Sequence, residues 1–358
     1  MSRTSLIGII MVMLFSQQTF GQSPEEKLPF KGQKFYLEPY NQASEWAKQH
    51  AQDPAAKAAT FIGGVPSSVW LGVGGDDHAK VKQTATEATQ LGKNVVFVSY
   101  RAPKRDLGGD SKGGADSLKA YKDWVDSTVS GLAEVSDLRR EKSAEVVNIV
   151  EPDAMGHLKD MKDEVSRKVR IEAVRYNVLK WATEPLVYSY IDAAHPGWFD
   201  TSHKDQLDQI VNMLVDMGIQ HARGISVNVS NYYSFEKCAT YGERICAELE
   251  KRGHGRKYFV IDTSRNGTSK EPKQGEFKNL PGQGLGKVPS GEGYKNPKLY
   301  PHLDATLWIK HPGESDGVGG QSQMEAGQFD PALALELYNN RLTKDSGYFG
   351  DLTRPAVK

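Results

Sequence analysis

Seven short runs of apolar, mostly β-branched residues recur along the chain, at 69–71, 95–100, 146–150, 186–191, 225–229, 258–261 and 306–309. Amphipathic stretches separate them, at 79–91, 115–135, 164–182, 204–217 and 235–251. A run that is apolar throughout, rather than alternating, suits a strand buried on both faces, as in a parallel sheet. Strands that alternate with helices point to one α/β domain. Seven strands are one fewer than the usual eight. The reading is therefore a single distorted, seven-stranded parallel α/β barrel, a modified TIM-like fold, with an open doubly wound sheet as the alternative.

The ends of the chain read differently. Arg3, an apolar run over 6–15 and the small residue Gly21 have the order of a secretory signal peptide cleaved after residue 21. The apolar run is about half of the ~20 residues that span a bilayer. Export to an extracellular or periplasmic space is expected, with no membrane attachment after cleavage. An N-terminal extension over 22–34, the barrel over 35–342 and a weakly structured tail over 343–358 complete the division. Residues 264–301 are poor in apolar periodicity and rich in Gly, Pro and Lys, and are expected to form a long loop.

Charge narrows the function. The 358 residues carry 45 Lys+Arg against 45 Asp+Glu. That balance gives no basic stripe for a nucleic acid and no attraction to anionic lipid. Two cysteines are too few for a disulfide framework or a Cys-rich metal site. No metal and no cofactor are expected, and the protein is expected to be a monomer. Cys238 and Cys246 fall in one helical pattern, about 12 Å apart at 1.5 Å per residue. They pair only if the segment between them is not helical, and the sequence leaves both outcomes open.

In parallel α/β barrels, reacting groups sit at the C-terminal ends of the strands. Carboxylates recur there: Asp106 after the second strand, Glu151 and Asp153 after the third, Asp192 after the fourth, Asp262 after the sixth, and Glu314 and Asp316 after the seventh. One such acid is accounted for by helix capping. Acids after five of seven strands, without a Cys/His ligand set, suggest carboxylate acid/base chemistry, with glycoside hydrolysis as the leading case. Trp70, Tyr100, Trp198 and Trp308 stand at the same ends, as a sugar-binding cleft requires. Trp124 and Trp181 lie in helical patterns and are expected in the core. Glu151 shares a strand face with Asp153 and competes as the acid, though a structural role suits it better. The stretch 282–287 has the wrong spacing for a phosphate loop, and Val288 replaces its Ser/Thr. No nucleophile elbow is present.

These motifs resemble glycoside hydrolase family 6, the inverting cellulases. The segment 146–153 (VVNIVEPD) is similar to the family's catalytic-acid strand. Residues 65–71, 100–106 with 111–115, 190–198, 223–231, 261–267 and 308–317 resemble its other signatures, in the family's order. The resemblance implies roles. Asp153 would be the general acid, with Asp106 sharing its proton. Asp316 would be the proposed base, directly or through a water chain. Ser111 would hold the hydrolytic water, and Tyr100 would lie under the distorted sugar. Trp70 and Trp198 would be stacking platforms, with Lys310 and Glu314 binding flanking sugars. Asp192, His195, Asn228, Asn231 and Arg265 would support the cleft by hydrogen bonds, and Trp308 would complete the substrate-binding set.

Departures from the family pattern are specific. Leu107 and Lys278 stand where cysteines are expected, Phe277 replaces a cleft tryptophan, and Arg101 replaces a polar or acidic residue. Thr201 replaces the distal tryptophan of tunnel enzymes. With the short stretch 316–327, this implies an open cleft and endo action on internal bonds of a β-1,4-glucan or cello-oligosaccharide. The alternatives are an exo-acting cellobiohydrolase, an enzyme for another β-glucan, and a secreted glucan-binding protein without catalysis. Two N-glycosylation sequons, at Asn228 and Asn266, fall inside barrel motifs and are read as cleft residues.

Overall fold

The computed structural model describes residues 30, 34–273, 275–291 and 298–341. The expected signal peptide, nearly all of the 22–34 extension and the 343–358 tail lie outside the described residues. Seven strands form: β1 (Val69–Leu71), β2 (Val95–Ser99), β3 (Val146–Val150), β4 (Val187–Asp192), β5 (Gly224–Val227), β6 (Tyr258–Asp262) and β7 (Leu303–Leu307). All pair in parallel with their sequence neighbours, in the order β1 to β7. The sheet curls until its two edges meet. The Ser68 amide before β1 donates to the Trp308 carbonyl after β7 at 3.0 Å. The result is the distorted α/β barrel, joined at its seam by isolated bonds rather than by a ladder.

Period-two burial explains the unbroken apolar runs. Val96, Val98, Val147, Ile149, Tyr190, Val260, Ala305 and Leu307 fill the barrel interior, with Phe30 among them. Val95, Phe97 and Val146 face helices on one side, and Val150, Ile191, Ile225, Val227, Phe259 and Ile261 on the other. A strand between two apolar layers has no polar face to show.

Among the described residues ten α-helices surround the sheet: α1 (Gln42–Gln49), α2 (Ala56–Gly63), α3 (Asp77–Gln90), α4 (Leu118–Ala133), α5 (Ser136–Lys142), α6 (Ala154–Leu158), α7 (Glu164–Trp181), α8 (Lys204–Asp216), α9 (Phe235–Lys251) and α10 (Pro331–Asn339). The side chains of Asp76, Ser117, Asp163 and Asp330 cap α3, α4, α7 and α10, and Pro331 opens α10. The amphipathic pattern anticipates α3, α4, α7, α8 and α9. It misses the five short helices, which lack enough turns to show a period. Among the described residues no helix is long and apolar enough to cross a membrane.

Several particular expectations are settled here. Cys238 and Cys246 are free, both buried in one unbroken helix, α9, so the spacing argument decides against a bridge. Trp181 is fully buried and Trp124 nearly so. Trp308 is corrected. It lies just past β7 at 1% exposure, packed with Ile62, Val65, Leu337 and Tyr338, and its indole donates to the Lys287 carbonyl at 2.8 Å. It belongs to the packing of α2 and α10 outside the barrel. The described part of 264–301 carries no helix or named strand, yet Leu285 is buried and hydrogen-bonded to Leu337.

Candidate active site

The strand ends open into one cleft of about 1170 Å³. Trp70, Tyr100, Asp106, Ser111, Asp153, His195, Trp198, Asn231, Lys310, Glu314 and Asp316 all line it. Phe277, 58% exposed, lines it as well. Asp192, Asn228, Arg265 and Trp308 do not; the first three stand behind the lining as supports, and Trp308 is elsewhere.

The backbone at this end is strained. Of eleven non-glycine residues with positive φ among the described residues, eight follow β2 to β5: Lys104, Asp106, Leu107, Glu151, Asp153, Ala194, Asn228 and Ser230. Each such residue costs about 1–3 kcal/mol and persists where its surroundings over-determine it. Both Asp106 (φ 54°) and Asp153 (φ 68°) are among them.

Asp153 projects from the turn after β3. Its amide donates to Asp192 Oδ1 at 3.1 Å. Burial, and then the neighbouring carboxyls of Asp192, Asp106 and Asp316, push its pKa well above the carboxylate range, against an opposing pull from Arg170. Asp192 also accepts from the Ala194 amide and the Ser226 hydroxyl, and burial lifts it to about 7.

Asp316 has the opposite environment. Burial pushes its carboxyl up, but Arg265 and Lys310 outweigh burial and hold it below its ordinary value. Arg265 Nη1 lies 2.9 and 2.7 Å from its two oxygens. The Tyr232 hydroxyl donates at 2.8 Å, the Asn279 amide at 3.1 Å, and Lys310 Nζ stands at 3.5 Å. An acid kept protonated and an anion kept ionised thus line one cleft.

Glu151 and Asp262 serve the backbone. Glu151 accepts from the Arg101 and Ala102 amides and from the Tyr121 hydroxyl. Asp262 accepts from the amides of Ser230, Ser264, Ile309 and Lys310. Both sit beneath the cleft, which accounts for Glu151 as a structural acid.

The loop after β2 is built around Arg105. Its guanidinium donates to the carbonyls of Ser111, Gly72 and Tyr100. The Ser111 amide donates to Asp106 Oδ2 at 2.8 Å, so the serine's place follows the acid's. Trp70 is held edge-on to Tyr100, with ring centroids 5.3 Å apart, and donates to the Ile309 carbonyl. His195 stacks between Trp198 at 4.7 Å and Tyr233 at 4.8 Å. Burial lowers its pKa to about 3, so the ring is neutral. Gly156 must be glycine: a Cβ there would stand 2.5 Å from the Trp198 ring.

Both sequon asparagines are buried. Asn228 Nδ2 donates to the Asp262 carbonyl, and Asn266 Nδ2 to that of Tyr233. Sequence reasoning missed Asn279, Tyr232, Arg170 and His157. Asn279 sits in a segment without periodicity, and Arg170 looks like any charge on a helix. Arg170 in fact is buried, donates to the Lys104 carbonyl and meets His157 Nδ1 at 3.1 Å. Among the described residues no cluster of three or more metal-ligating side chains occurs.

The sequence profile described as Glycosyl hydrolases family 6 matches residues 30–341. Endoglucanase A of Cellulomonas fimi is 34% identical over 86% of this chain, which spans 61% of that relative's length. Endoglucanase 1 of Streptomyces halstedii is 33% identical over 85% of this chain and 88% of its own. Cellobiohydrolases match too; that of Emericella nidulans is 30% identical over 82% of this chain and 70% of its own. Among solved structures, the endoglucanase Cel6 of Mycobacterium tuberculosis, in complex with a thio-linked cello-oligosaccharide, superposes with a TM-score of 0.76 at 31% identity. That match covers 88% of this chain and 99% of the other.

Proposed function

The chain belongs to glycosyl hydrolases family 6, and from that premise we propose that it is an exported endo-β-1,4-glucanase that inverts the anomeric centre. The observation that carries this reading is the opposed pair of carboxyls. Asp153 is held protonated by burial and like charges, and Asp316 is held as an anion by Arg265 and Lys310. Two carboxyls driven apart in proton affinity supply an acid and an anion at one pH.

In this reading Asp153 donates its proton to the glycosidic oxygen as the bond to the anomeric carbon breaks. Tyr100 lies against the sugar ring at the cut. Water attacks the opposite face and is held through Ser111. Asp316, with its oxygens already engaged by four donor groups, is a weak proton acceptor. It acts chiefly as fixed negative charge beside the developing oxocarbenium ion, with the proton leaving through water. Trp70, Phe277 and Trp198 offer apolar faces to neighbouring glucose rings, and Lys310 and Glu314 bind their hydroxyls.

The test is proton NMR of the anomeric region during the first minutes of cellohexaose hydrolysis. Early α-anomer is expected. Early β-anomer would mean retention and remove the mechanism. Absence of product with binding retained would favour a glucan-binding protein. Endo action is tested separately with a soluble cellulose derivative, whose viscosity should fall well ahead of the release of reducing ends.

A further inference from the structure

The two walls of the cleft are joined. On one wall, the loop after β2 carries Asp106 and Ser111, with Asp110 directly before the serine. On the other, Lys278 directly precedes Asn279, whose amide donates to Asp316 and whose side chain holds the Asp316 amide and the Gly317 carbonyl. Lys278 Nζ forms an ion pair with Asp110 Oδ2. Each end of this pair is therefore one residue from a group that bears on the cut.

A second contact reinforces the first. Asp110 packs where a side chain on residue 317 would stand: a Cβ on Gly317 would lie 2.6 Å from Asp110 Cγ. Gly317 also has φ +111°, which disfavours any other residue. The side chains of Asp110 and Lys278 are 34% and 26% accessible, against 13% for Asp316. The bridge is thus more open to solvent than the Asp316 carboxylate.

We propose that the Asp110–Lys278 ion pair is a clasp across the cleft mouth, which holds the Ser111 loop against the catalytic carboxylates when closed and must open to admit a long glucan chain. The proposal rests on the glucanase reading. A short oligosaccharide enters along the cleft from either end beneath the bridge. An internal segment of a polymer has no free end at hand and enters from above, so it needs the bridge to part. Partly exposed ion pairs are weak and are screened by salt. The clasp therefore opens at a modest cost that ionic strength tunes.

The experiment compares the wild type with Asp110→Asn, Lys278→Met and the charge swap Asp110→Lys/Lys278→Asp. For each, kcat/KM is measured on uncharged hydroxyethyl cellulose and on cellotetraose, at low and high salt. In the wild type, salt should raise the polymer-to-oligosaccharide ratio about two- to fivefold, the range of a partly exposed ion pair. The single variants should show the raised ratio at low salt and no salt response, and the swap should restore the response. A ratio that stays at the wild-type value in both single variants overturns the clasp. Hydrogen exchange of residues 106–115 is the second readout. Exchange about two- to fivefold faster in Lys278→Met supports the clasp, and unchanged exchange overturns it. A wild type that cleaves neither substrate removes the glucanase reading, while the exchange result still decides whether the walls are clasped.

Discussion

Replacing His311 with glutamine is expected to remove a pH-dependent part of the protein's stability. The imidazole bridges two acceptors, with Nδ1 at 3.0 Å from Glu314 Oε1 and Nε2 at 2.6 Å from the Ser68 carbonyl. Only the imidazolium ion carries an N–H at both positions. Burial alone would lower its pKa. Glu314 and the Ser68 carbonyl outweigh burial and lift it from 6.5 to about 9. At about 1.4 kcal/mol per pH unit, that gap corresponds to about 3.5 kcal/mol at most. The ring is 24% accessible, so solvent screens the pair and about 1–2 kcal/mol is the expected contribution. Because the folded pKa is raised, this contribution is complete below about pH 6.5 and is lost as pH rises through about 9. Glu314 sets the acidic edge. Burial pushes its pKa up, but His311 and Lys310 outweigh burial and hold it low. Its share is present above about pH 4.3 and lost as pH falls through the lowered value. The two shifts describe one interaction, counted once. Urea unfolding of the wild type and His311→Gln should therefore differ by about 1–2 kcal/mol more at pH 5.5 than at pH 9.5. A difference of the same size at both pH values would refute a charged His311. Because Glu314 lines the cleft, KM for cellohexaose should rise in the variant as well.

Asp153→Asn should lower kcat on cellohexaose by about 10²–10⁴-fold, and hydrolysis at the wild-type rate would end its role as the acid. Asp192→Asn removes a charge that raises the pKa of Asp153. Its alkaline limb of kcat against pH should move to lower pH, since the acid works only while protonated; an unmoved limb would exclude that coupling. Cys238 and Cys246 are wholly buried, and burial pushes both thiols well above their ordinary range. A thiol reagent should find neither in the folded protein and both in urea without reductant, and no reaction in urea would mean a disulfide. Trp308→Ala should cost about 3–5 kcal/mol of stability, whereas Trp198→Ala should chiefly raise KM for longer oligosaccharides. The reverse pattern would return Trp308 to the cleft.

Much of the frame was legible in the residues because its causes are local. Strands such as β2 and β3 are apolar at four of their five positions, which fits a strand covered on both sides. Cap residues such as Ser117 and Asp163 mark where α4 and α7 start. Parallel pairing then brings all strand ends to one rim, so the positions of Asp106, Asp153 and Asp316 in the chain already imply one site. What the tertiary structure alone decided is which of the candidates face the cleft and what charge each carries there. Trp308 follows β7 as Trp198 follows β4, yet α2 and α10 cover Trp308 and leave Trp198 beside the cleft. Asp153 and Asp316 are the same residue type at equivalent strand ends, but one meets Asp192 and Asp106 and the other meets Arg265 and Lys310. Asn279 and Lys278 come from a stretch with no periodic signal and reach the site because the loop folds back against Asp316 and Asp110. A residue's proton affinity and its partner across a cleft depend on segments far away in the chain. Those meet only once the sheet has curled until β1 reaches β7, so no local pattern encodes them.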